Sequence, residues 1–220
     1  MTRTYAIGDI HGHLDKLREV HGWIERDRDD ADDVVVHVGD LTDRGPDSAG
    51  VIRFLIAGLK AGKPWVVLKG NHDRMMSLYL GEPSLPDPGL RSDLSWQHVR
   101  LGGLTTLASY GVDVANLADD ALHSAARAAV PREHRAFLAG LDTVYRTKEV
   151  LFVHAGIRPG VAIEDQVEDD LDQVGVDPLN GHLAQAVQGG GGVHHLMRHQ
   201  TGQVGRLTVA ELVFEHRADE

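Results

Sequence analysis

Four short apolar runs in this chain each stop abruptly at a cluster of polar residues. The runs cover residues 5–7, 34–38, 65–68 and 150–153. They are unbroken and rich in β-branched residues, which is typical of strands that are buried on both faces. The polar clusters contain the pairs Gly8-Asp9, Gly39-Asp40 and Gly70-Asn71, and the fourth begins at His154. A sheet with polar groups at its strand ends is therefore the first prediction.

Helical patterns separate the first three runs. Apolar residues recur at helical spacing after the first run (Leu14, Leu17, Val20 and Ile24) and after the second (Val51, Ile52, Leu55, Ile56 and Leu59). For the second helix, Pro46-Asp47-Ser48 predicts the start and Gly62 the end. Alternating strands and helices predict an α/β fold with a largely parallel sheet. Ligands bind such sheets beyond the carboxyl ends of the strands, where these polar clusters would meet.

The remaining segments complete a single predicted domain over residues 1–220, a size suited to one core. Proline and glycine punctuate residues 81–111, which we predict to form a loop-rich cap near the site, anchored by Trp96 and Tyr110. An alanine-rich stretch over 119–141 predicts helix, and 205–214 predicts one or two closing strands. Residues 166–204 form a tail region with little periodic pattern.

Composition excludes several classes of protein. The chain has no cysteine, which excludes a thiol nucleophile and cysteine-ligated metals and favours a reducing compartment. Its net charge of −11 argues against nucleic acid as a partner. The first apolar run is too short for a signal peptide, and no run approaches the ~20 residues of a membrane span. We therefore expect a cytoplasmic protein without a membrane partner.

The polar clusters offer the ligands of a dinuclear metal site. Two metal ions can activate water and neutralise phosphoryl oxygens, provided that one carboxylate bridges them. Asp40 is placed to bridge, and the other ligands from the strand ends are Asp9, His11, Asn71 and His154. Carboxylate, imidazole and amide ligands suit first-row divalent metals, so Mn is the expected metal, with Fe, Zn, Ni or Co as alternatives.

Three further side chains are predicted to act on the substrate. His72 follows a ligand and is expected to be the general acid that protonates the leaving group. Asp43 would orient its imidazole and keep it protonated. Arg44 would bind the phosphate oxygens through its guanidinium fork.

These blocks resemble those of a known superfamily. Gly8-Asp9-Ile10-His11-Gly12, the block at 39–45 and the block at 70–73 are similar to the GDxHG, GDxxDRG and GNHE/D signatures of calcineurin-like metallophosphoesterases, in particular the phosphoprotein phosphatase branch. The segment at 154–160 is similar to a fourth block of bacterial members. The resemblance extends from residue 4 to about 165. It implies a central β-sandwich flanked by helices, with Asp9, His11 and Asp40 on one metal and Asp40, Asn71 and His154 on the other.

The tail departs from the family pattern. Bacterial relatives usually carry Trp-Ile-Arg after an acidic run, whereas Glu168-Asp169-Asp170-Leu171 is followed here by Asp172-Gln173. A second phosphate-binding arginine is therefore absent from its usual place. Spacing favours His182 as the last metal ligand, and His194, His195 and His199 are the alternatives.

The resulting expectation is a hydrolase of phosphomonoesters. Phosphoserine or phosphothreonine in proteins is the first substrate class. A diadenosine tetraphosphate or other nucleotide is the alternative, kept open by Asp73 where eukaryotic protein phosphatases have glutamate. The changed tail leaves a third reading, a catalytically impaired relative that binds phosphorylated groups.

Overall fold

The computed structural model describes residues 3–147, 150–158, 160–172, 196–197 and 207–210. The strands are β1 (Thr4–Ile7), β2 (Val34–His37), β3 (Trp65–Val67), β4 (Val144–Arg146), β5 (Leu151–Val153), β6 (Leu196–Met197) and β7 (Leu207–Ala210). The helices are α1 (Leu14–Asp27), α2 (Ser48–Lys60), α3 (Asn71–Tyr79), α4 (Gly103–Ser109), α5 (Asp119–Ala129), α6 (Arg132–Ala139) and α7 (Glu168–Asp172). A 3-10 turn spans Ile163–Asp165. No helix within these ranges combines the length and the apolar character that crossing a bilayer demands.

The main sheet has five strands in the order β3-β2-β1-β7-β6. β1 runs parallel to β2 and to β7, β2 runs parallel to β3, and β6 is antiparallel to β7. β4 and β5 form a separate antiparallel pair. The predicted parallel core of an α/β fold is confirmed, and the carboxyl ends of β1, β2 and β3 lie at one edge.

Both faces of the main sheet are covered, which explains why its strands read as unbroken apolar runs. On one face, residues such as Tyr5 and Val35 pack against the helices in a single large cluster. On the other face, Ala6 and Val36 pack against Phe152 of β5. The second sheet thus covers the face opposite the helices, which confirms the expected sandwich.

Local chain signals account for the helix ends. α2 begins after Asp47, whose carboxylate accepts a hydrogen bond from the Gly50 amide at 2.7 Å, and Gly62 follows its end with φ of 72°. The alanine-rich stretch contains two helices because Pro131 disfavours helical backbone at Val130, which is extended.

The cap at 81–111 has no helix or strand before α4 begins at Gly103. Its anchor Trp96 is buried and packs on Tyr79 of α3, with ring centroids 4.9 Å apart. A buried ion pair fixes the cap to the same helix: Arg74 donates from Nε and Nη2 to the two carboxylate oxygens of Asp87, each at 2.8 Å. The cap is therefore attached to the helix that carries Asn71 and His72.

Candidate metal centre

The predicted ligands lie in the loops that follow four strands. Asp9 and His11 follow β1, Asp40 follows β2, Asn71 begins α3 just beyond β3, and His154 follows β5. Parallel pairing aligns the ends of the first three strands, and β5 approaches from the second sheet. The topology therefore brings together all the predicted ligands that lie among the described residues.

The backbone of these loops adopts a conformation that side chains rarely tolerate. Four residues other than glycine have positive φ in the described chain: His11 (43°), Asp40 (48°), Asp43 (73°) and Arg44 (64°). The left-handed region costs a residue with a Cβ roughly 1–2 kcal/mol. All four are predicted site residues, so the strain is concentrated where the fold directs side chains inward.

Close backbone approach requires glycine between the second and third loops. A Cβ on Gly70 would lie 2.3 Å from both the amide nitrogen and Oδ1 of Asp40. The first and second loops are joined by the Asp40 carbonyl, which accepts hydrogen bonds from the amides of Ile10 (3.0 Å) and His11 (2.8 Å). The glycines of the sequence blocks thus let the loops touch, and they are not simply turn formers.

Asp40 lies between two sets of side-chain atoms that could bind metal ions. His154 Nε2 is 3.3 Å from Asp40 Oδ1 and 3.1 Å from Asn71 Oδ1. On the other side, His11 Nε2 is 3.5 Å from Asp40 Oδ2 and 3.8 Å from Asp9 Oδ2. One carboxylate oxygen thus faces each set, which is the placement expected of a bridging ligand.

Hydrogen bonds fix which ring nitrogen each histidine presents to the centre. Nδ1 of His154 donates to the Val38 carbonyl at 2.9 Å, and Nδ1 of His11 donates to the Thr42 carbonyl at 2.8 Å. The Nε2 atoms are left facing the carboxylates. Metal-binding histidines are oriented in this manner by a bond from the second ring nitrogen. The donor set, all oxygen and nitrogen, therefore fits divalent metal ions.

The electrostatics also favour a cation. Partial burial, followed by the nearby Asp40 charge, raises the pKa of Asp9 to about 6. Burial acts to raise the pKa of Asp40 as well, but His154, His72 and His11 outweigh it and hold that pKa below its usual value. Burial lowers the pKa of His11 to about 4, so its imidazole is neutral at pH 7. Neutral imidazoles and crowded carboxylates are the forms that bind metals.

His72, Asp43 and Arg44 form the second part of the site. His72 Nδ1 donates to Asp43 Oδ2 at 2.7 Å, and Arg44 donates to Nε2 of His72 (3.0 Å) and of His11 (2.8 Å). Burial acts to lower the pKa of His72, but the carboxylates of Asp40 and Asp43 outweigh it, and the pKa is raised. Since Nδ1 is held by Asp43, Nε2 faces the centre. There it accepts from Arg44; it can carry a proton if that guanidinium moves away, and it can bind a metal, because His72 forms a possible metal-binding group with His11 and Asp40.

Sequence reasoning missed a structural role of Asp73. Its buried carboxylate accepts hydrogen bonds from the amides of Leu41 and Gly70, each at 3.0 Å, and from the Thr42 hydroxyl at 3.3 Å. Burial, and then the charge of Asp40, raises its pKa to about 7. The side chain thus joins the second loop to the start of α3. Its position three residues after Gly70, in the first turn of a helix, is the signal that indicates such capping.

The acidic run of the tail folds as α7 against the loops that carry Asn71 and His154. Its three acids pair with three cations: Glu168 with Lys69 (3.1 Å), Asp169 with Arg74 (2.5 Å) and Asp170 with Arg158 (2.5 Å). The carbonyl of Leu171 accepts a hydrogen bond from the Ala155 amide at 2.8 Å. His182 and its alternatives, His194, His195 and His199, lie outside the described residues, as do most of 166–204.

Comparison with known protein families identifies the same family that the sequence blocks resemble. The family model for calcineurin-like phosphoesterases matches residues 2–201. A symmetrical bis(5'-nucleosyl)-tetraphosphatase of Legionella pneumophila is 44% identical over 78 residues, which cover 35% of this chain and 26% of that protein. The enzyme of the same name from Cellvibrio japonicus is 42% identical over 79 residues, covering 36% and 27%. The chain thus spans about a quarter of the length of these relatives.

Solved structures show more distant likeness. A metallophosphoesterase from Sphaerobacter thermophilus matches with a TM-score of 0.40 at 19% identity, over 70% of this chain and 46% of that one. A serine/threonine phosphatase from Saccharomyces cerevisiae matches with a TM-score of 0.40 at 13% identity, over 87% and 54%.

Proposed function

Because the chain belongs to the calcineurin-like phosphoesterase family, we propose that it hydrolyses phosphate esters at a centre that holds two divalent metal ions. The observation that carries the proposal is the position of Asp40, which presents one carboxylate oxygen to each of two donor sets. Asp9 and His11 complete one set, and Asn71 and His154 complete the other. His182 is proposed as a further ligand of the second set.

The bound cations would supply an activated water and neutralise charge on the phosphoryl group. Side chains of the protein would bind the phosphoryl oxygens and protonate the leaving group. Arg44 directs its guanidinium into the centre, beside His11 and His72, where it can bind two phosphoryl oxygens. His72, whose Nδ1–H donates to Asp43, would give a proton from Nε2 to the leaving oxygen once Arg44 turns from that nitrogen to the phosphoryl group.

For the substrate, the relatives named symmetrical bis(5'-nucleosyl)-tetraphosphatases favour a dinucleoside tetraphosphate. Phosphoserine or phosphothreonine in a protein is the second candidate. The observation that favours it is the accessibility of the centre: the Asp9 side chain is 39% exposed and Arg44 is exposed at the rim. A centre that opens to the surface can accept a side chain carried by a bulky polypeptide.

The test compares three substrates in parallel: p-nitrophenyl phosphate, diadenosine tetraphosphate and a phosphoserine peptide, each with Mn²⁺. We expect turnover of p-nitrophenyl phosphate, and the faster of the other two identifies the substrate class. Asp40→Asn should lose both metal and activity, because it removes the bridging charge. Asp93→Asn, a change at an exposed carboxylate, is the matched control and should retain both.

His72→Asn separates an acid from a ligand. We expect kcat to fall by about 10²–10⁴, the usual contribution of a general acid, while metal content stays at the parent level. Equal loss of metal and activity would show that His72 is a ligand, as its place beside His11 and Asp40 permits. Metal binding without turnover of any of the three substrates would favour the impaired relative and contradict the proposed function.

A further inference from the structure

Asp43 is held by residues of the cap. Its side chain is fully buried, and beside His72 it has two further donors. Trp96 Nε1 donates to Oδ2 at 2.8 Å, and the Thr106 hydroxyl donates to Oδ1 at 2.8 Å. Both donors come from the segment that runs from the cap into α4, more than fifty residues along the chain from Asp43.

The hydrogen positions in this network follow from counting donors. The Thr106 hydroxyl donates its one proton to the Asp43 carboxylate, so Thr106 Oγ1 must accept from the Ser48 hydroxyl at 2.9 Å and from the Asp43 amide at 2.8 Å. The Ser48 oxygen in turn accepts from the Asp43 amide at 3.1 Å. Each carboxylate oxygen therefore receives at least one donor, and the backbone of Asp43 is fixed at its positive φ of 73°.

The same segment touches the neighbouring residue. A Cβ added to Gly102 would lie 2.3 Å from the amide nitrogen of Arg44, so the cap backbone packs directly on the loop that carries the guanidinium. Residues 96–106 thus contact both Asp43 and Arg44. The cap is part of the support of the site and not only a covering.

We propose that Trp96 and Thr106 are positioning residues for phosphate-ester hydrolysis, which hold Asp43 so that the His72 imidazole keeps one orientation toward the leaving group. This inference rests on the proposed function. The contact geometry supports it, because Oδ2 of Asp43 accepts from both Trp96 and His72, at 2.8 and 2.7 Å. Any rotation of the carboxylate that follows loss of the indole donor therefore moves the acceptor of His72. Neither residue touches the predicted metal ligands in a described hydrogen bond.

Leaving-group dependence distinguishes positioning of an acid from general destabilisation. p-Nitrophenolate is a weak base, so it leaves with little help from a general acid. Phenolate is a stronger base, so its departure depends more on receiving a proton. In Trp96→Phe, which removes the N–H and keeps most of the ring, we expect kcat on phenyl phosphate to fall by about tenfold or more, the size of one hydrogen bond to a charged group. On p-nitrophenyl phosphate kcat should fall less, and KM should change for neither. Thr106→Val should act in the same direction.

Matched controls are Trp23→Phe, at a partly exposed tryptophan, and Thr105→Val, at the adjacent threonine. Both should leave the ratio of the two kcat values at the parent level. Equal loss on both esters in Trp96→Phe, or no loss, would overturn the inference while the parent's turnover still supported the proposed function.

A second measurement needs no activity. In the metal-free protein, the Nδ1–H of His72 should give a low-field proton resonance, identified by its absence in His72→Asn. We expect this resonance to move or broaden in Trp96→Phe and Thr106→Val, and to stay in place in Trp23→Phe. If the parent turned over no ester, the proposed function would fail, and an unmoved resonance would still refute the positioning role.

Discussion

Replacing Asp87 by asparagine should destabilise the protein far more than the same change at an exposed aspartate. Asp87 is buried in the cap, where both carboxylate oxygens accept from Arg74 at 2.8 Å and Oδ1 also accepts from the Gly89 amide at 2.8 Å. Its side chain is 1% exposed, and that of Arg74 is 8% exposed. Asparagine keeps the shape, loses the charge, and directs an N–H₂ group at a guanidinium that can only donate.

The magnitude follows from burial. Removing one partner of a buried ion pair costs roughly 3–5 kcal/mol, because the other charge loses its counter-charge without regaining water. Arg74 retains its ion pair with Asp169, whose side chain is 60% exposed. We therefore expect the lower end, about 3 kcal/mol. For a domain of this size each kcal/mol lowers Tm by roughly 2–4 °C, so Tm should fall by roughly 6–12 °C.

The assay is thermal and urea unfolding followed by circular dichroism. The control is Asp93→Asn, whose pair with Arg91 joins side chains that are 59% and 77% exposed. Exposed pairs contribute about 0–1 kcal/mol, so this variant should be near the parent. An Asp87→Asn variant that loses no more stability than Asp93→Asn would refute the reasoning.

Three further predictions concern pH, metal and the tail. His21 Nε2 lies 3.0 Å from His37 Nε2, and burial lowers the pKa values of the two side chains to about 3 and about 4. Below pH ~6.5 the two histidines therefore bind protons in the unfolded chain but remain neutral in the folded chain. Their contribution to stability is complete above that pH and is lost as the pH falls toward 4. Relative to the parent, His21→Gln should reduce the slope of unfolding free energy against pH by about 1.4 kcal/mol per pH unit in that window. An unchanged slope would contradict this prediction. Mn²⁺ at a hundred times its Kd should stabilise the parent by about 2.7 kcal/mol in thermal unfolding and should stabilise Asp40→Asn much less; equal stabilisation would place the metal elsewhere. His182→Asn should weaken binding of the second metal in a calorimetric titration, and an effect only at His194, His195 or His199 would show that the tail was aligned wrongly.

Much of the site could be predicted from sequence because its signals are local. Gly39-Asp40 and Gly70-Asn71 each end a buried strand, and parallel pairing brings strand ends together without further information. The start of α2 at Ser48, after the Asp47 cap, was likewise contained in a few adjacent residues. Local motifs and sheet topology were therefore sufficient to assemble the centre.

The supports of the site were not predictable, because they join distant parts of the chain. Asp43 and Trp96 are 53 positions apart, and Arg74 and Asp169 are 95 apart. No periodic pattern connects such pairs, and a tryptophan in a proline-rich stretch reads equally well as an anchor of the cap alone. The left-handed backbone of Asp43 and Arg44 could not be predicted from the sequence for the same reason, because tertiary contacts impose this conformation against the local preference.

The position of β7 in the sheet has a consequence for synthesis. β7 lies between β1 and β6, with Thr4 opposite Leu207 and Ile7 opposite Ala210, so β1 is completed by a segment that is synthesised about two hundred residues later. Until then one edge of β1 offers unpaired amides and carbonyls beside apolar side chains, a template for wrong pairing. Nascent chains stalled before residue 207 should therefore need chaperone protection that chains extended well past β7 do not.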